Sequence, residues 1–415
     1  MKNDKLAILC GGGPAPGLNG VIAAATLEAT RAGTEVLGLR DGFKWLIEGD
    51  LGKNVKLTPA DADRIHFRGG SDLGIARANP AKKPEHLAKC LETLQKLGVG
   101  MLVTVGGDDT CFSSASLARA SSGSLRVVHV PKTIDNDLDL PPEVPTFGFQ
   151  TARHVGTEIL ENLIVDAKTT SRWYFVVAMG RKAGHLALGI GKAAGAAITL
   201  IPEELGSSGV KMKDVVDTLV GSILKRQAHG ENNGVAVLAE GIVEVIDPAD
   251  IEGLDGVERD EHGHIRISEV DFGALVKTAV LKRLKELGVA MTIVPKNIGY
   301  ELRCADPIPF DLEYTRDLGY CAARYLLDGG DQALISIQRA QFVPVKFDTI
   351  MDKTTGRMKV RMVDVASDNF KIARAYMTRI EKEDLADEAQ LARIAKTTKL
   401  DAAAFRAAFA HVATS

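Results

Sequence analysis

The sequence predicts an α/β protein with largely parallel sheets and helices packed on both faces. Three observations predict it. Short apolar runs alternate with longer stretches of helical periodicity along most of the chain. Glycine- and aspartate-rich segments follow several of the apolar runs, as loops follow buried strands. The 415 residues, 45% hydrophobic and 25% charged, suffice for two domains and a large core.

Taken in order, Leu6–Cys10 reads as a strand and Gly20–Arg31 as a helix. Glu35–Leu39 is a strand, Pro84–Leu97 a helix and Met101–Val105 a strand. Thr110–Ala120 reads as a helix, Val127–Val130 as a strand and Thr151–Ala167 as a helix. Tyr174–Ala178, Ala197–Ile201, Val235–Ala239 and Met291–Val294 follow as strands, with a helix at Ala183–Ala194. Met212, Val215, Val216, Leu219, Val220 and Ile223 mark one face of a further helix. Asp255–Ile265 is polar and reads as an exposed loop, with His262 and His264 solvated rather than paired on a metal. Met351–Met362 suggests a hairpin about Thr354–Arg357, and residues 367–415 a charged, alanine-rich helical extension.

Composition excludes several classes. A net charge of −3 gives no basic footprint for nucleic acid or an anionic membrane. The N-terminus leads into an apolar run of only Leu6–Cys10, too short for a signal-peptide core, and no run reaches the ~18 residues of a membrane span. Cys10, Cys90, Cys111, Cys304 and Cys321 form no CxxC pair, so reduced thiols and a cytoplasmic location are expected.

The chemistry concentrates at two strand ends. Met101–Val105 runs into Gly106-Gly107-Asp108-Asp109-Thr110, and Val127–Val130 into Pro131-Lys132-Thr133-Ile134-Asp135-Asn136-Asp137. Open α/β sheets bind their ligands at such positions. Gathering Asp108, Asp109, Asp135 and Asp137 costs mutual repulsion unless a cation or a proton transfer uses them. Gly11-Gly12-Gly13-Pro14-Ala15-Pro16-Gly17 joins the first strand to the first helix; read alone, it fits an anion cradle or a tight turn. It is neither a dinucleotide fingerprint, because Pro16 stands where the third glycine belongs, nor a Walker A loop, because Leu18-Asn19 follow Gly17. Arg68-Gly69-Gly70-Ser71 and Ala76-Arg77 form a second glycine- and arginine-rich segment.

From Leu6 to about Gly330 these motifs resemble the phosphofructokinase family, and in particular its pyrophosphate-dependent branch. ATP-using bacterial members have Gly where this chain has Asp109 and where it has Lys132; the pyrophosphate branch has Asp and Lys. The resemblance implies two Rossmann-like lobes with the active site between them. The donor (pyrophosphate and metal) lobe would be 1–150 plus about 296–366, and the sugar-phosphate lobe 151–295. It implies reversible transfer of phosphate from pyrophosphate to the 1-hydroxyl of fructose 6-phosphate, in glycolysis or gluconeogenesis. Sedoheptulose 7-phosphate stays open as a further acceptor.

The resemblance also implies residue roles. Gly12 and Arg77 would contact the donor, Asp108 would hold Mg²⁺, and Asp109 would exclude the α-phosphate of ATP. Lys132 would stabilise the transferring group and Asp135 would be the base, with Thr133 and Asp135 on the acceptor sugar and Asp137 in support. Met179-Gly180-Arg181, Glu240 and Tyr300-Glu301-Leu302-Arg303 match acceptor-binding segments, and Arg181 matches a catalytic arginine. Arg172 matches an arginine that reaches a neighbouring subunit, so a homodimer is expected, with a tetramer open. Read without the resemblance, these strand-end arginines and glutamates fit surface roles better. Two departures stand out. Val294 occupies the place of a family arginine, with Lys296 a candidate substitute. Ala23 and Leu27 stand where allosteric members carry effector-binding arginines, so no nucleotide or phosphoenolpyruvate control is expected.

Overall fold

The computed structural model describes residues 4–141, 143–252, 271–350 and 358–414. His262, His264 and the expected turn Thr354–Arg357 lie outside the described residues. The chain divides into two compact units, Met1–Ala152 with Tyr300–Arg361, and Arg153–Gly299 with Met362–Ser415.

The first unit is built on seven strands. They are β1 (Lys5–Cys10), β2 (Val36–Leu39), β3 (Asn54–Leu57), β4 (Val99–Gly106), β5 (Arg126–Pro131), β10 (Ala333–Gln338) and β11 (Gln341–Lys346). Their order is β11-β10-β5-β4-β1-β2-β3. The five inner strands pair in parallel, and both edge strands pair antiparallel. All eight residues of β4 are buried, which explains its unbroken apolar run. The antiparallel edges were not expected from the sequence. β3 and β11 are half-exposed and carry weak patterns. The β10–β11 turn uses Arg339 and Ala340 at φ of 50° and 60°, without the Asn-Gly signal such turns usually show.

The second unit carries a four-stranded parallel sheet, β7-β8-β6-β9, from β6 (Trp173–Ala178), β7 (Ile198–Leu200), β8 (Gly234–Ala239) and β9 (Ile293–Ile298). β9 begins and ends later than the expected Met291–Val294. Trp173 is fully buried, and a Cβ on Gly234 would lie 2.7 Å from its ring, so only glycine fits opposite it. The C-terminal helices pack within this unit. Phe405 and Phe409 stack at 4.6 Å between ring centroids, and Gly221 leaves room for Ile380 and Phe409. Among the described residues no helix is long and apolar enough to cross a membrane.

Candidate active site

Parallel pairing aligns the C-terminal ends of β1, β4 and β5 in the first unit. Cys10 pairs with Val105, and Gly106 with Pro131. The three loops that follow therefore start side by side: Gly11–Gly17, Gly107–Asp109 and Lys132–Asp137. Two of them are tied directly, because the Lys132 amide donates to the Gly106 carbonyl at 2.8 Å. Arg77 is brought alongside by a parallel bridge between Gly11 and Ala76, where the Gly12 amide donates to the Ala76 carbonyl at 3.1 Å.

Glycine is required at the meeting point. A Cβ on Gly11 or on Gly106 would each come within 2.5 Å of the Thr110 hydroxyl, so this side chain fills the notch between the first two loops. Gly12 has φ of 83°, in the left-handed region. A Cβ there would lie 3.7 Å from Lys132 Nζ, so the lysine head faces the glycine loop.

Lys132 is 5% exposed, and its ammonium donates to the Gly13 carbonyl. Burial pushes its pKa down to about 8, opposed by the carboxylates of Asp135 and Asp137. Its neighbour Cys10 stays a neutral thiol, pushed up to about 12 by burial. The Arg303 guanidinium interacts with the same lysine, lies beside Gly13 and packs over Tyr300 at 4.6 Å from the ring centre. Arg303 Nε is buried with no hydrogen-bond partner among the described residues. Lys132 and Arg303 are two cations crowded beside the glycine loop and repel one another, an arrangement that a bound anion would relieve.

The acids stand opposite. Asp108 and Asp109 open the helix Asp108–Ala120, where the dipole favours carboxylates. Asp109 is exposed, and Asp108 is half-buried and accepts the Met358 amide at 3.0 Å. The Asp135 amide donates to the Thr133 hydroxyl at 3.0 Å, and the Thr146 hydroxyl donates to the Thr133 carbonyl at 2.7 Å, which fixes the turn holding Asp135. Among the described residues no three His, Cys, Asp or Glu side chains form a cage. Asp108 and Asp135 are carboxylates at these loop ends, and a hard divalent cation needs only one or two beside phosphate oxygens and water.

Besides Thr110, three residues given no part in the sequence reading support these loops: His129, Met358 and Arg361. His129 interrupts an otherwise apolar strand, which was its one visible signal. It is fully buried, with Nε2 2.9 Å from the Gly106 carbonyl and Nδ1 2.9 Å from the Thr104 hydroxyl. Burial pushes its pKa down to about 3, so the ring is neutral. A carbonyl only accepts, so Nε2 carries the proton and Nδ1 accepts from Thr104. His129 and the Lys132 amide thus both hold the Gly106 carbonyl.

The remaining expected residues fall in two places. In the second unit Met179–Arg181 follows β6 and Glu240 follows the adjacent β8. The Gly180 amide donates to the Glu240 carboxylate at 3.2 Å, and Gly180 has φ of 139°. A Cβ on Gly241 would meet the Arg181 carbonyl at 2.4 Å, so the two turns touch. Arg172 precedes β6 and so lies at the strand's other end, ~20 Å away at the ~3.3 Å rise of a parallel strand. Within one chain it does not join Met179–Arg181. Tyr300–Arg303 belongs to the first unit: Leu302 is fully buried, while Tyr300 and Glu301 are exposed. Val294 and exposed Lys296 lie on the edge strand β9. Ala23 and Leu27 lie on the helix Leu18–Arg31.

A model of the family described as Phosphofructokinase matches residues 5–326. The chain is 52% identical to a pyrophosphate–fructose 6-phosphate 1-phosphotransferase of Thermotoga maritima, covering 92% of this chain and 93% of that protein. A protein of the same name from Naegleria fowleri is 49% identical over 95% of this chain and 92% of its own length. Among solved structures, a pyrophosphate-dependent phosphofructokinase of Nitrosospira multiformis superposes with a TM-score of 0.69 at 17% identity, covering 90% and 91% of the two chains. The Pichia pastoris phosphofructokinase in its T-state gives 0.66 at 24% identity, over 83% of this chain and 35% of that one. Those two structures share the fold; the family match and the half-identical relatives go further, and the chain belongs to the phosphofructokinase family.

Proposed function

We propose that this chain transfers phosphate reversibly from pyrophosphate to the 1-hydroxyl of fructose 6-phosphate. One observation carries the reading. Asp109 lies in the first turn of the helix Asp108–Ala120, while the buried ammonium of Lys132 faces the glycine loop beside it. A carboxylate at Asp109 repels the extra phosphate of a nucleotide, and Lys132 supplies charge for a donor that ends at its second phosphate. The half-identical relatives carry names of the same reaction.

In this reading Asp108, with Asp137 in support, would hold Mg²⁺, and the ion would supply positive charge to the donor. Asp135 takes the proton of the attacking hydroxyl, and Thr133 orients it. Gly12 and Arg77 serve the donor. Met179, Gly180, Arg181, Glu240, Arg172 and Tyr300–Arg303 serve the sugar phosphate. We place the enzyme in the cytoplasm, in glycolysis or gluconeogenesis, without control by nucleotide effectors. Saturating pyrophosphate should support turnover of fructose 6-phosphate, and ATP little or none. Equal kcat/KM for the two donors would refute the reading.

Lys132 sets an expected pH limit. It must be the cation to stabilise charge leaving the donor, and its pKa lies near 8. Deprotonation above that pH removes the charge, so kcat with pyrophosphate should fall as pH rises through about 8. Lys132→Arg should retain whatever activity it has to higher pH. An alkaline limb that is unchanged in Lys132→Arg would assign the titration to another group.

We also propose a homodimer, in which Arg172 completes the partner's acceptor site. Its place at the far end of β6 from Met179–Arg181 supports this. Sedimentation at assay concentration should show a dimer or larger; a fully active monomer would rule it out.

A further inference from the structure

We propose that Arg361, beyond the stretch matched by the family model, is a positioning residue for phosphoryl transfer: its guanidinium staples the loop that presents Asp135 and Asp137. The inference rests on the function proposed above.

Among the described residues between Lys132 and Val144 the loop after β5 forms no strand or helix, so several of its carbonyls draw partners from elsewhere in the chain. Arg361 supplies them. Its amide donates to the Asp137 carbonyl at 2.9 Å, within an antiparallel bridge between Leu138 and Val360. Its Nε donates to the Asn136 carbonyl at 3.0 Å, and its Nη2 to the Asn136 side-chain oxygen. Its Nη1 spans the carbonyls of Val144 at 2.9 Å, Pro141 at 3.1 Å and Leu140 at 3.4 Å. One side chain thus gathers both limbs of the loop.

The pivot of this staple is Asn136, which separates the two acids. It has φ of 55°, in the left-handed region that asparagine enters more readily than most non-glycine residues. Its side-chain oxygen takes the Thr146 amide at 3.0 Å as well as Arg361. Reversing Asn136 to the right-handed region would redirect the chain on either side, and with it both carboxylates. Charge acts in the same sense. Asp137, Asp139 and Tyr314 all face the guanidinium, and it offsets repulsion among the acids of the loop. Lysine has one head and cannot span five acceptors. The hydrogen bonds of Arg361 fall on the backbone of this loop and on the Asn136 side chain, so it acts through the conformation of Asn136.

The test is steady-state kinetics of Arg361→Ala and Arg361→Lys with pyrophosphate and fructose 6-phosphate, after wild-type turnover of that pair is established. Failure of the wild type sinks the functional reading itself. With an active wild type, Arg361→Ala should lower kcat about 100-fold, the scale of a ~1 Å misplacement, while KM for either substrate moves less than about threefold. Guanidinium chloride at non-denaturing concentration should restore about tenfold of the loss, and sodium chloride none. Loss of fold would not be repaired this way, since guanidinium destabilises folded chains. Arg361→Lys retains charge and most of the volume and covers the case in which the alanine variant does not fold. It should lose about tenfold in kcat with the same KM pattern. A kcat within threefold of wild type in either variant would overturn the proposal, as would a folded Arg361→Ala variant that guanidinium does not revive.

Discussion

Replacing Asp135 by Asn or Ala should lower kcat by about 10²–10⁴, the contribution of a lost general base, with KM changing far less. The sugar hydroxyl must lose its proton as its oxygen attacks phosphorus, and a carboxylate held in place accepts it at no cost in reorganisation. Asp135 is held. Its amide is fixed on the Thr133 hydroxyl, Thr133 is fixed by Thr146, and Asn136 next to it is clamped by Arg361. Its charge also supports the neighbouring ammonium of Lys132, so the lysine's alkaline limb should move to lower pH in Asp135→Asn. That displacement separates loss of this carboxylate from general damage. A variant with near-normal kcat would place the base elsewhere.

What could be read from the sequence followed from where each signal is encoded. β1, β4, β5, β6 and β8 are buried along most or all of their length, so burial makes them largely apolar runs. The loops after them are named by glycine and aspartate, and parallel pairing then brings Gly12, Asp108 and Lys132 together without further information. The edge strands were missed for the converse reason. β3 and β11 are partly wet, and the β10–β11 turn is made by Arg339 and Ala340, which name no turn. Support from a distance was invisible in principle. Arg361 lies 225 residues from Asn136, and nothing in Val360-Arg361-Met362 distinguishes that arginine from a solvated one. His129 was half legible: a histidine within a buried strand must find partners, but not which carbonyl it holds.

Asp109→Gly should weaken pyrophosphate use and open measurable ATP use. The residue is exposed in the first turn of the helix Asp108–Ala120, so its removal leaves no cavity and disturbs little of the core. In the proposed reading it removes a negative charge and a side chain standing where a nucleotide's α-phosphate would lie. Lys132→Gly acts differently. The lysine is buried and bonded to the Gly13 carbonyl, so its loss takes a cation from beside the glycine loop and leaves space there. A charge that strengthens its contact as the donor bridge breaks is felt in kcat more than in KM. Loss of one transition-state donor typically costs about 10²–10³ in kcat, and Lys132→Gly should fall in that range with pyrophosphate. Arg303 carries charge against the same loop, so ground-state binding should persist in part. The double variant should not equal the product of the singles if, as proposed, both residues act on the same phosphates. Nor should it become a full ATP enzyme, since nothing in either change builds a pocket for adenosine. Steady-state kinetics of the two singles and the double with each donor decide the matter. Unchanged pyrophosphate kinetics and undetectable ATP use in Asp109→Gly would remove residue 109 as the donor selector, while an unaltered kcat in Lys132→Gly would remove the lysine from the transition state.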